Sequence, residues 1–189
     1  MIIIVNQILA TLTIFSHIFL VFGIGYFLFF HKDKNNPIIQ FFSRNGIALA
    51  FFVSLFATVI SLFYSDVAGF EPCKLCWFQR IFMYPQVFIL GLSWFKKDHK
   101  IIDYALTLAI IGGLFALYHN YIYYGGTSFF PCDALGVSCA KRYVLEFGYI
   151  TIPLMSLTSF LLLSAFLLLQ RFIIKKSLKE KENINYAIK

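Results

Sequence analysis

The sequence predicts an all-α integral membrane protein with five membrane-spanning helices. Of its 189 residues, 60% are hydrophobic and only 13% are charged, whereas a globular domain has about 25% charged residues. The apolar residues also lie in five long runs, and roughly 18 or more consecutive apolar residues indicate a transmembrane helix. These two observations exclude a soluble domain. The net charge of +7 comes from residues between and after the apolar runs, where topology signals lie, so it does not indicate nucleic-acid binding.

The predicted spans cover residues 7–30, 46–65, 77–95, 104–124 and 147–170. The first could instead be a signal peptide, which has a basic N-terminal region and an apolar core of about 7–15 residues. Residues 1–16 contain no lysine or arginine, and the apolar run is about twice as long as such a core. We therefore interpret the first span as a retained membrane anchor.

The positions of Lys and Arg predict the orientation, because cytoplasmic loops carry an excess of them. The first and third connections and the C-terminal tail together carry 12 of these residues, and the other side carries 4. The side with twelve is predicted to be cytoplasmic. Disulfides persist outside the reducing cytosol, and the opposite side holds all four cysteines of the chain, Cys73, Cys76, Cys132 and Cys139.

Cys73 and Cys76 form a C-x-x-C pair at the predicted start of the third span, and Arg80 follows one turn later. At about 100° per residue, the two sulfurs and the guanidinium share one helix face. The positive end of a helix dipole favours the thiolate, the reactive form of cysteine. An ionisable residue inside a span indicates function because its burial is costly, although Arg80 could instead extend its head group to the interface.

Cys132 and Cys139 lie among glycines and Pro131, which are typical of a loop rather than a helix. A bridge between them closes a short loop and therefore stabilises the fold only modestly. We expect an exposed, exchangeable disulfide in a mobile loop, with a structural bridge as the alternative. His119, near the outer end of the fourth span, could transfer a proton or could be an ordinary hydrogen-bonded packing residue.

Other cysteine chemistries fit the pattern less well. A zinc site from both pairs is conceivable, but the second spacing is long and the oxidising side favours disulfides. Haem attachment requires C-x-x-C-H, and Trp77 follows Cys76. We expect no metal. A relay is chemically possible, in which a partner dithiol reduces the loop pair and that pair reduces the C-x-x-C pair. An apolar helix mouth with one fixed cation suits a lipid-soluble quinone as the acceptor.

With these features, the chain resembles the disulfide bond formation protein B (DsbB) family, and more closely its shorter BdbC-like branch. The resemblance covers about residues 45–170. It is carried by the C-x-x-C-W-x-Q-R run at residues 73–80, the Leu-Tyr-His run at 117–119, the later cysteine pair and the segment at 147–157. It implies a four-helix membrane bundle at residues 45–170. An extra N-terminal helix and basic loop (1–44) precede the bundle, and a charged cytoplasmic tail (171–189) follows it.

The resemblance also implies a quinone-linked thiol:disulfide oxidoreductase of the bacterial inner (plasma) membrane. Such an enzyme reoxidises a DsbA-like thioredoxin-fold protein on the periplasmic or extracytoplasmic side and passes the electrons to ubiquinone or menaquinone. By position, Cys132 accepts attack from the partner, Cys139 attacks Cys73, and Cys76 donates to the quinone.

By the same resemblance, Arg80 and His119 are quinone-binding residues; Gln79 is a further candidate whose role is open. The first span lies outside the family's four-helix core. The loop between Cys132 and Cys139 is short, so the reach of Cys139 toward the C-x-x-C pair depends on the loop glycines.

Two alternative functions stay open. Proteins of the vitamin K epoxide reductase type place their loop cysteines before the C-x-x-C, the reverse of the order here. A non-enzymatic scaffold would use both pairs as structural disulfides.

Overall fold

The structure, a computed structural model, describes residues 2–30, 37–127 and 138–187. These residues form five long helices: α1 (Ile2–Phe30), α2 (Pro37–Leu62), α3 (Lys74–Lys96), α4 (Ile102–Tyr123) and α5 (Ile152–Ala187). Each contains a segment that is long and apolar enough to cross a membrane. Within the described ranges, extended pairing is confined to one isolated bridge between Glu146 and Ile150. The predicted all-α membrane bundle, with one additional N-terminal helix, is confirmed.

Helices α2 to α5 pack around one core, to which all four contribute buried side chains such as Ile47, Met83, Leu106 and Phe160. Gly112 lets α4 approach α5 closely, because a Cβ atom there would overlap the ring of Phe160. Small residues commonly let membrane helices approach in this way. The close approach fixes α4, which carries the predicted site residue His119 near its C-terminal end.

The fifth helix begins at Ile152, so the predicted start at residue 147 is wrong. Phe147 and Gly148 have φ values of 50° and 79°, which a right-handed helix cannot contain. The bridge between Glu146 and Ile150 closes the turn that contains them. At its other end α5 continues to Ala187, so most of the charged tail extends the helix.

The beginning of α1 lies on the same side of the bundle as the C-x-x-C pair. A π-helical turn, Phe63–Val67, ends the second span, and its Tyr64 hydroxyl donates to Asn6 Oδ1 at 2.9 Å. Both side chains are buried. Because the chain continues from this turn to the start of α3, the N-terminus and the first cysteine pair share one side, as five spans require.

We expect Gly112→Ala to destabilise the bundle. The added methyl group meets the ring of Phe160, which is 1% exposed and has no free space to enter, and overpacking of this kind costs about 1–3 kcal/mol. Gly113→Ala is the matched control, since its Cβ atom would make an ordinary 3.5 Å contact with the same residue. In detergent, Tm should fall for Gly112→Ala only. Equal Tm values for the two variants would contradict this packing.

Candidate redox site

The start of α3 positions the C-x-x-C pair. Cys73 is the N-cap residue, with extended backbone angles, and its Sγ accepts a hydrogen bond from the Cys76 N–H at 3.4 Å. The first turn of a helix has N–H groups without partners in the helix, and an N-cap side chain satisfies one of them. The two sulfurs lie 3.0 Å apart, and both thiols are free. The local helix geometry thus holds both sulfurs at one helix end.

His119 contacts one residue of each predicted cysteine pair. Its side chain is buried, and its Nε2 lies 3.7 Å from Cys73 Sγ and 3.1 Å from the Cys139 carbonyl oxygen. A carbonyl only accepts hydrogen bonds, so Nε2 carries a proton. The structure therefore brings His119 to the cysteines, as its position in the sequence predicted.

Gln79 supplies the other contact of the His119 ring. Its amide nitrogen lies 2.9 Å from Nδ1 and donates to it, because an amide nitrogen has hydrogens but no acceptor site. Gln79 thereby fixes the tautomer whose Nε2–H faces Cys73 and Cys139. This contact gives Gln79, whose role the sequence left open, a positioning function.

Cys139 is disulfide-bonded and only 2% exposed. It belongs to one buried cluster with Cys73, Leu75 and Ile122, where α3 begins and α4 ends. The expectation of an exposed disulfide is therefore wrong for Cys139, because apolar side chains at the start of α3 and the end of α4 cover it. Cys132 lies outside the described residues. Because Cys139 and Cys73 belong to the same buried cluster, we expect them to meet without a long movement of the loop.

Several contacts stabilise a thiolate at Cys73. The hydrogen bond from the Cys76 thiol is the largest; burial opposes it, and His119 and the Cys76 N–H add to it. Together they hold the pKa of Cys73 well below its usual range. Cys73 therefore carries negative charge at neutral pH when the pair is reduced. Such a thiol is a good leaving group in disulfide exchange.

Arg80 is bound to the neighbouring helix α2. Its Nε donates to the Ser61 hydroxyl and its Nη2 to the Ser61 carbonyl, both at 3.0 Å. The guanidinium also lies 5.3 Å from the ring centroid of Trp77. These contacts hold the Arg80 guanidinium in place, so the side chain does not extend freely to the membrane interface. No signal in the sequence distinguished Ser61 from the other serines of α2.

A cavity of about 640 Å³ lies beside these residues. One end is polar and is lined by Cys73, Cys76, Gln79, Arg80 and His119. The remaining wall is mostly apolar and comes largely from α1, α2 and α5, with further residues from the connections near the cysteines, among them Glu71 and Lys141. Ligand sites commonly enclose about 300–1,000 Å³ and combine apolar walls with a few polar groups. The cavity therefore suits an apolar molecule with a polar head.

The same residues could also hold a metal ion. Ligand atoms of Cys73, Cys76 and His119 lie within 4.8 Å of one another, and zinc accepts thiolate and imidazole ligands. A four-cysteine zinc site does not form, because Cys139 is in a disulfide. A metal ion at Cys73 and Cys76 would block the re-formation of their disulfide.

We expect the thiolate of Cys73 to be visible by ultraviolet titration. With Cys132→Ser and Cys139→Ser in the background, the reduced protein should show an absorbance step far below the pKa of about 8.5 of a free cysteine. Lowering the pH through this step protonates the thiolate. Cys76→Ala removes the largest stabilising contact and should move the step upward, while Cys73→Ala should abolish it. A first step near the free-cysteine value in the parent protein would contradict these contacts.

The model of the family described as "Disulfide bond formation protein DsbB" matches residues 43–170. The SPbeta prophage-derived disulfide bond formation protein B of Bacillus subtilis (strain 168) is 43% identical over 140 residues, which cover 74% of this chain and 93% of the relative. Disulfide bond formation protein C of the same organism is 42% identical over 114 residues, covering 59% and 81%. The probable disulfide formation protein of Metapseudomonas resinovorans is 35% identical over 131 residues, covering 68% and 91%. No solved structure matches the chain.

Proposed function

The chain belongs to the disulfide bond formation protein B family, and on that premise we propose that it is a quinone-linked thiol:disulfide oxidoreductase that reoxidises a DsbA-like thioredoxin-fold protein. Its family membership makes it a membrane protein of thiol–disulfide oxidation. One observation supports the more specific proposal of a quinone-linked relay. Free Cys73 and Cys76 pack beside the disulfide-bonded Cys139 at the polar end of a cavity within the bundle.

The exchange proceeds through mixed disulfides. A partner thiolate attacks Cys132, and Cys139 leaves as a thiolate. Cys139 attacks Cys73 of the oxidised C-x-x-C pair, and Cys76 is released. The second partner thiol then attacks the mixed disulfide and releases Cys132, which attacks Cys139 and releases Cys73. The partner now carries a new disulfide, the Cys132–Cys139 bond is restored, and two electrons reside on the C-x-x-C pair.

The residues around Cys73 favour this direction of exchange. In the last step Cys73 is the leaving group, and a thiol with a lowered pKa leaves faster. The contacts that lower the pKa of Cys73 therefore assist its release. The Nε2–H of His119 lies between Cys73 and the Cys139 carbonyl, so it can hold both residues in place during the exchange.

The cavity fits a quinone as the final electron acceptor. Ubiquinone or menaquinone, when bound, supplies a two-electron, two-proton acceptor that returns Cys73 and Cys76 to a disulfide. Arg80 keeps N–H donors beyond the two that bind Ser61, His119 lines the same polar end, and mostly apolar side chains line the rest. Fixed donors of this kind stabilise negative charge that develops on an oxygen atom. Gln79 contributes by orienting His119.

We also propose that the protein lies in the bacterial inner (plasma) membrane with its cysteine cluster on the periplasmic or extracytoplasmic side. Lys96 at the end of α3, together with Lys97 and Lys100 in the following connection, lies at the opposite end of the bundle from Cys73. This distribution agrees with the excess of basic residues in cytoplasmic loops. Disulfides also persist on that side of the membrane, because it lies outside the reducing cytosol.

Quinone reduction driven by a reduced thioredoxin-fold partner tests this function. Without quinone, the purified protein should oxidise no more partner than its own disulfides allow, and continued turnover should require quinone. Cys76→Ala should lower the rate roughly a hundredfold or more, as expected for removing one member of a group that acts as a unit. Ser65→Ala is the control, since Ser65 is only half-buried, lies beyond the end of α2 and binds only neighbouring groups.

Quinone-dependent oxidation that continues undiminished in Cys76→Ala would contradict the relay. If the wild type oxidised no partner and both cysteine pairs stayed oxidised throughout, the cysteines would be structural. Thiol trapping before and after addition of quinone separates these two outcomes.

A further inference from the structure

Helix α1 forms part of the cavity wall, although the family match begins only at residue 43. Leu9, Leu12, Thr13 and Ser16 line the cavity. Leu12 and Thr13 each lie three or four residues from both Leu9 and Ser16, so all four residues share one face of the helix. Thr13 and Leu9 are buried. The additional helix therefore contributes one face to the candidate site.

Two polar contacts fix α1 in register against the bundle. Asn6 binds Tyr64 of the turn after α2, and His17 Nε2 lies 2.8 Å from the Thr158 hydroxyl of α5. That hydroxyl gives its own proton to the Leu154 carbonyl, so His17 is the donor. Asn6 and His17 are about 16 Å apart along the helix axis at 1.5 Å per residue. Such hydrogen bonds between helices stabilise their association in a membrane.

The wall that α1 presents is apolar in character, despite its hydroxyl groups. Thr13 Oγ1 donates to the Leu9 carbonyl and Ser16 Oγ to the Leu12 carbonyl, both at 2.8 Å. Because these hydroxyls are satisfied within the helix, they require no partner in the cavity. The wall can therefore contact hydrocarbon without leaving a polar group unpaired.

The cavity is elongated along the helices. Its lining on α5 runs from Ile152, near the cysteines, to Phe166, a distance of about 21 Å at 1.5 Å per residue. At the far end Phe19 of α1 meets the ring of Phe166 at a centroid distance of 6.1 Å. A quinone ring at the polar end would leave this apolar extension for a hydrocarbon chain.

We propose that α1 is a binding wall for the isoprenoid tail of the quinone, contacting it through Leu12, Phe15 and Ser16. This inference rests on the proposed function and extends it. The ring is held at the polar end by residues of α3 and α4, and the tail lies between α1, α2 and α5. The affinity gained from the tail therefore depends on α1, whereas binding of the ring does not.

The test compares a tailed quinone with its tailless ring in nanodiscs, with Kd measured by quenching of the intrinsic tryptophan fluorescence. Ser16→Phe places a bulky group in the tail channel and should weaken binding of the tailed quinone about tenfold, which corresponds to about 1.4 kcal/mol. Binding of the tailless ring should not change. Thr11→Phe is the matched control, because Thr11 is exposed on the same helix and its hydroxyl likewise binds the chain four residues earlier.

Phe15→Ala provides a second variant if Ser16→Phe lowers Tm. Phe15 lines the cavity but is 64% exposed, so its truncation removes tail contacts without opening the core. It should weaken the tailed quinone about threefold and leave the ring unaffected.

Equal losses for tailed and tailless quinones, or no loss for either, would overturn the inference while leaving the proposed function intact. Equal losses in Thr11→Phe would also overturn it, since that side chain lies outside the cavity. If the wild type bound neither quinone, the proposed function itself would fail, and the role of α1 with it.

Discussion

The hydrogen-bonded start of α3 is the constraint on which the rest of the site depends. Cys73 caps the helix through its sulfur, and the same sulfur contacts both Cys76 and His119. The start of α3 therefore determines where the C-x-x-C pair lies relative to Cys139. A cap interaction that is ordinarily structural here also holds the reactive atom in position. Its partners favour the charged form of Cys73, which is the form that disulfide exchange requires.

The membrane gives these few polar contacts their importance. A buried polar group in a low-dielectric environment is costly when unpaired, and each group of the site has a defined partner. Gln79 orients His119, and Ser61 holds Arg80. The apolar remainder of the cavity then continues into the bundle, where α1 closes one side. The cysteines at the polar end and the apolar extension at the other are the two features on which the proposed transfer of electrons from a thiol partner to a quinone rests.

Much of this architecture could be predicted from the sequence, because lengths of apolar runs and positions of basic residues are local signals. The start of α5 could not, since it depends on the positive φ values of Phe147 and Gly148. Nor could the burial of Cys139, which results from contacts with side chains of α3 and α4. In a membrane protein, lipid-facing and core-facing residues are both apolar. Hydrophobic periodicity therefore did not reveal that α1 faces a cavity.

The proposed relay depends on disulfide exchange that passes directly between Cys139 and Cys73. The most direct measurement is a single turnover of the oxidised protein with a reduced thioredoxin-fold partner, quenched by acid and alkylation and analysed by mass spectrometry of linked peptides. A transient Cys73–Cys139 disulfide should appear together with a free Cys76 thiol and before a free Cys73 thiol. Reduction of Cys73 and Cys76 without that linked peptide at any time point, in particular through a direct bond between the partner and Cys73, would contradict it.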